Sequence, residues 1–98
     1  MAYKVLFTED ALNDLEVLLD YISADKPSAA EQFGIALLKH IELLESLPGI
    51  GAPVAGRPGV RKILHTPVRV YYRVHKDRRL VEILHLWHSS RREPIFSP

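Results

Sequence analysis

The chain is expected to fold as one α+β domain over residues 1–98, in the order β-α-α-β-β-β, with a helical hairpin packed on one face of a small, mainly antiparallel sheet. Residues 61–92 carry the clearest strand pattern, since Val68, Val70, Tyr72 and Val74 alternate with Arg69, Tyr71, Arg73 and His75 at the period of two expected of a two-faced strand. Residues 9–47 instead repeat their apolar positions at helical spacing, in two runs separated by Pro27. Finally, 98 residues that are 47% hydrophobic and 26% charged have the composition of an ordinary globular domain, and a chain of this size buries roughly 60–70% of its unfolded surface.

Each element has its own signal. Tyr3 to Phe7 reads as a short strand at a sheet edge, with Tyr3, Val5 and Phe7 on one side. Thr8 is placed to cap the helix that follows, and Glu9 and Asp10 suit the positive end of its dipole. Leu12, Leu15, Leu18, Leu19 and Ile22 form that helix's apolar stripe. After Pro27, Ser28 and Glu31 have the spacing of a capping box, and Phe33, Leu37, Ile41 and Leu44, extended by Ala30 and Leu47, line one face until Pro48-Gly49 ends the helix. Ile50 to Gly59 is rich in glycine and proline and is expected to be an irregular, mobile surface connection. Three strands in meander order follow. Arg61 to His65 is separated from the next strand by Thr66-Pro67, and Lys76 to Arg79 is the turn of a hairpin that ends in Leu80 to His88. That last strand is apolar on both faces, as a central strand would be.

Composition narrows the class. There is no cysteine, hence no disulfide or thiolate metal site, which fits a reducing compartment. Neither a signal peptide nor a run approaching the roughly 20 apolar residues of a membrane span is evident, so the chain is expected to be cytoplasmic, with no membrane partner. The net charge of +1 hides an asymmetry: residues 1–50 hold most of the acids and three Lys or Arg, whereas residues 51–98 hold ten. A cationic second half favours phosphate or an acidic protein partner.

Several short motifs carry a resemblance. They are Ala11-Leu12-x-Asp14-Leu15; Tyr21-Ile22 before Pro27, Ala29, Ala30 and Phe33; Leu47-Pro48-x-x-Gly51; Val60-Arg61; Val68-Arg69-Val70-x-Tyr72-x-Val74; and Ile83-Leu84-x-Leu86-x-His88-x-x-Arg91. Together, across nearly the whole chain, they resemble the RelE/ParE superfamily, the toxins of bacterial type II toxin–antitoxin pairs. The resemblance implies a toxin neutralised by a cognate antitoxin, with a toxin–antitoxin hetero-oligomer left open, and no cofactor. It also implies one of two targets. RelE-like members resemble ribosome-dependent endonucleases that cut messenger RNA, and ParE-like members resemble inhibitors of DNA gyrase.

Metal-free RNA cleavage needs a group to take the 2′-hydroxyl proton, a group to protonate the leaving oxygen, and cations for the developing charge. His88 is the candidate acid or base, since an ordinary histidine titrates near pH 6.5. Arg69 aligns with a family arginine that contacts phosphate, and Arg61, Arg73 and Arg91 are candidate phosphate- or target-binding cations. On a regular strand His85 points away from His88 and shares a face with Val81, Ile83 and Trp87, while Tyr71 faces outward with Arg69 and Arg73, where a base could stack. His65 reads as structural or exposed at a strand end, and His40 and His75 have no partner legible in the sequence. Departures from the nuclease pattern favour the binder: residues 50–60 hold Arg57 as their only cation, Phe96 offers no hydroxyl where several nucleases have a terminal tyrosine, and the hairpin from Glu9 to Leu47 has ParE-like length. The expected function is therefore ParE-like inhibition of gyrase, with the ribosome-dependent endonuclease as the alternative.

Overall fold

A computed structural model describes residues 2–88. Strand β1 (Lys4–Phe7) leads into helix α1 (Glu9–Asp25), which turns at Lys26 into α2 (Pro27–Glu42) and a single 3₁₀ turn at Leu43–Glu45. Strands β2 (Ala52–Pro53), β3 (Val60–His65), β4 (Val68–His75) and β5 (Leu80–His88) follow. The sheet order is β1-β5-β4-β3-β2, with β1 parallel to β5 and every other pair antiparallel. The α+β order expected from the sequence holds, with one strand added.

That strand, β2, lies inside the stretch expected to be irregular. Ala52 and Pro53 pair with Lys62 and Arg61, and proline is tolerated there because an edge strand need not donate on its outer side. Helix α2 also starts earlier than expected. Its cap is Lys26, without a side-chain hydrogen bond, and Pro27 occupies the first turn, where its missing N–H costs nothing. Ser28 is consequently inside the helix, and the Ser28–Glu31 capping box does not form.

The main core lies between the helices and the sheet. Leu37, Ile41 and Leu44 meet Ile63, Val68, Val70, Tyr72, Val81, Ile83 and Leu86, with Leu15, Leu18 and Phe33 packed at the margin. Burying each such aliphatic side chain contributes ~1.5–3 kcal/mol. The helices approach closely where Leu19 rests against Gly34. Leu12 and Leu47, expected on the apolar stripes, are instead 53% and 51% exposed. Leu12 falls at the margin of its stripe, and Leu47 lies past the end of α2 and its 3₁₀ turn, so the helical spacing no longer applies to it.

A second, smaller core sits on the opposite face. Val54, Val60 and Tyr71 are buried there, with Leu84 and Trp87 against them. Tyr71 is therefore not the outward-facing stacking platform that strand parity suggested. It is fully buried, because the β2–β3 connection folds Val54 across it.

Candidate functional site

Strand β5 is not regular. Tyr71 pairs with His85 but Tyr72 pairs with Ile83, so Leu84 is an extra residue with no opposite number on β4. A bulge of this kind reverses the alternation of everything beyond it. Before it, Val81 and Ile83 face the helices with Val74 and Tyr72; after it, Leu86 and His88 do so, opposite Val70 and Val68. Trp87 lies opposite Arg69 on the other face. His85 and Trp87 therefore do not share the face of Val81 and Ile83, and His88 does not share the face of Arg69.

The bulge is held from outside the sheet. Strand β1 covers β5 only as far as Ile83, and side chains of the following helix take over the edge. The Thr8 hydroxyl donates to the carbonyls of Ile83 (2.9 Å) and Leu84 (3.2 Å), and it accepts from the Ala11 N–H at 3.1 Å as the cap of α1. One turn on, Asp14 Oδ2 accepts the Leu86 N–H at 3.1 Å and pairs with His85 Nδ1 at 3.0 Å. Buried edge amides must be satisfied by something, and here a threonine and an aspartate do what a longer β1 would have done.

These facts place the candidate residues. His88 lines a groove of about 440 Å³ with Asp14, Val17, Leu18, Tyr21, Leu86 and Trp87. Val17 and Tyr21 on its rim are 64% and 79% exposed. Helix α1 beside it carries Glu9, Asp10, Asp14, Glu16, Asp20 and Asp25 and no basic residue. Arg69 and Arg73 project from the opposite sheet face, Arg69 opposite Leu64 and Trp87, Arg73 opposite Val60 and Glu82. Lys62, paired with Tyr71, shares that face, so the open face is cationic around a buried tyrosine. Arg61 pairs with Tyr72 on the helix face, and its Nη1 donates to the Gly51 carbonyl at 2.7 Å. Arg91 lies outside the described residues. Arg69 and Arg73 thus share one face of the sheet, while His88 and Arg61 lie on the other.

Arg61 belongs to a structural knot that the sequence did not disclose. The buried Tyr72 hydroxyl donates to the Pro48 carbonyl and accepts the Gly51 N–H, each at 2.8 Å. A Cβ on Gly51 would stand 2.6 Å from the Tyr72 oxygen and 2.7 Å from the Lys62 carbonyl, so only glycine fits. Burial raises the Tyr72 phenol above its ordinary 10.0, against the opposing pull of the Gly51 N–H and the Arg61 charge. Pro48, Gly51, Arg61 and Tyr72 are all motif positions quoted above, which was the available signal.

The histidines also find partners. His75 Nε2 meets Glu82 Oε1 at 3.1 Å, with Arg78 Nη2 on its other nitrogen at 3.2 Å. His40 and His65 face each other, Nδ1 to Nδ1, at 2.9 Å. Burial, and then the His40 charge, lower the His65 pKa from 6.5. No three His, Cys, Asp or Glu side chains converge as a metal cluster among the described residues, and no helix is long and apolar enough to cross a membrane.

Residues 5–93 match the family model described as the ParE toxin of the type II toxin–antitoxin system parDE. The chain belongs to the ParE toxin family. Within the wider RelE/ParE superfamily, this ParE-family chain is similar to a chain of the chromosomal ParDE system of P. aeruginosa, at 23% identity and a TM-score of 0.76, covering 89% of this chain and 96% of that one. The RelBE2 toxin–antitoxin complex of Mycobacterium tuberculosis matches at 24% identity and a TM-score of 0.63, covering 90% and 99%. The isolated E. coli RelE toxin matches at 26% identity and a TM-score of 0.61, covering 94% and 89%. No curated protein sequence gives a significant match.

Proposed function

We propose that this ParE-family toxin arrests growth by binding DNA gyrase, without chemistry of its own, and that a cognate antitoxin holds it inactive. The observation that carries the reading is the bulge at Leu84, which turns His88 toward the helices while Arg69 stays on the open face. A general acid or base and the cation that steadies the developing phosphorane must converge on one scissile phosphate, and these two lie on opposite sides of a sheet. The ParE family match over residues 5–93 supports the same target. The cationic face around Lys62, Arg69 and Arg73 then acts as a binding surface.

The antitoxin is assigned to the groove between α1 and β5. Its rim carries exposed Val17 and Tyr21, and beyond β1 the β5 edge has no strand neighbour among the described residues. An apolar trough beside a strand edge that Thr8 and Asp14 cap only in part suits a partner helix or an added strand beyond them.

The test is induction of the toxin alone, with DNA and protein synthesis followed separately over the first minutes and the purified toxin added to a gyrase supercoiling reaction. Early DNA damage and inhibited supercoiling are expected, with toxicity retained in His88→Ala. Early collapse of translation with cleaved messages, abolished by His88→Ala, would overturn the reading in favour of the ribosome-dependent endonuclease.

A further inference from the structure

We propose that His40 and His65 form an acid-sensitive joint that fastens helix α2 to strand β3 near neutral pH and releases it when both rings are protonated. The proposal stands apart from the choice of target. Two Nδ1 atoms 2.9 Å apart make a hydrogen bond only if one carries a proton and the other offers a lone pair. A second proton sets N–H against N–H and places two positive charges on rings whose centroids are 5.1 Å apart.

Among the described residues the surroundings offer no compensation. From α2, Phe33 presents its ring edge-on to His65 at 5.5 Å, and Lys39, next to His40, is exposed. From β4, His65 faces the fully buried Val68, and His88 of β5 stands beyond Val68 in the same row. No carboxylate among the described residues pairs with either ring. His75 and His85 differ, because each meets a carboxylate, Glu82 or Asp14. A second proton at the α2–β3 contact finds no such partner among the described residues.

The lowered pKa of His65 agrees, and burial is its larger cause. A base whose folded pKa lies below its unfolded value stabilises the fold fully above the unfolded value, near 6.5, and loses that contribution as the pH falls through the folded one. The joint is thus closed above about pH 6.5 and fails in mild acid.

Thermal melts of the 98-residue chain at about pH 7.5 and about pH 5 test this in wild type, His40→Gln and His65→Gln. Glutamine keeps a hydrogen-bonding group and cannot titrate. Wild type should lose roughly 4–8 °C more than either variant on acidification, the size expected for a modest destabilisation of a domain this small, with faster amide exchange in α2 at the lower pH. Equal acid losses in all three proteins would overturn the proposal. So would a His65 ring that titrates above 6.5 by NMR in wild type, a readout that holds even if a variant does not fold.

Discussion

Removing a single oxygen, in Tyr72→Phe, should lower stability by about 2–3 kcal/mol. The Tyr72 ring is fully buried, and its hydroxyl is the 2.8 Å partner of both the Gly51 N–H and the Pro48 carbonyl. Phenylalanine preserves the packing and strands both partners. Each buried unpaired backbone group costs about 1–3 kcal/mol. Gly51 is buried and bears the full penalty, whereas half-buried Pro48 recovers part of it from water. In a domain of this length the loss corresponds to a melting temperature lower by about 10–20 °C, read by thermal melts and urea titrations of purified toxin with an unchanged m-value. A loss below about 0.5 kcal/mol would refute the knot as a stabilising element. Gly51→Ala should be worse than Tyr72→Phe and should not be rescued by it, because the new Cβ meets the Lys62 carbonyl at 2.7 Å as well as the Tyr72 oxygen. Alkali gives an independent check. The folded phenol titrates above its ordinary 10.0, so its contribution is present below about pH 10 and is lost as the pH rises through the raised value. Wild type should destabilise above that pH more steeply than Tyr72→Phe.

Two further outcomes are expected. Asp14→Ala strands the Leu86 N–H and releases His85; the cost should be about 1–2 kcal/mol by denaturant melts, with amide exchange fastest at residues 84–88, and uniform exchange across the sheet would contradict the edge-capping role. Tyr21→Glu alters a side chain that is 79% exposed on the groove rim; it should leave the melting temperature within a few degrees yet weaken antitoxin capture at least tenfold in a pull-down or calorimetric titration, and undiminished capture would place the antitoxin elsewhere.

Much of the fold was legible because it rests on local patterns. Thr8 before Glu9 and Asp10 announces a helix start, and it caps α1 as expected. The alternation of β4, the polar turn at Lys76–Arg79 and the apolar Leu80–His88 announce a hairpin, and its register begins at His75 opposite Leu80. Leu37 and Ile41 of α2, with Leu44 of the 3₁₀ turn that continues it, are buried as their spacing implies. One local signal lost to another, since Pro27 fits the first turn of α2 and makes the Ser28–Glu31 box irrelevant, and one was overruled by a neighbour in space, since Val54 folds over Tyr71 and turns a surface residue into core.

The candidate site was less legible for one reason. Assigning His88 to a face requires counting residues along β5, and one unannounced extra residue inverts the count. Nothing in Ile83-Leu84-His85 marks a bulge. It is held by Thr8 and Asp14, 76 and 72 residues away in the chain from the carbonyl and amide they bind.

Composition and apolar periodicity were thus enough to specify an α+β domain, because helix, strand and turn preferences act within a few residues of one another, and a string of short motifs carried the resemblance to RelE/ParE toxins. Which histidines meet, which face Arg69 and His88 occupy, and what Gly51, Arg61 and Tyr72 are for were settled by contacts between distant segments. Those depend on strand register and on the satisfaction of buried polar groups, and neither is written in any one stretch of the chain.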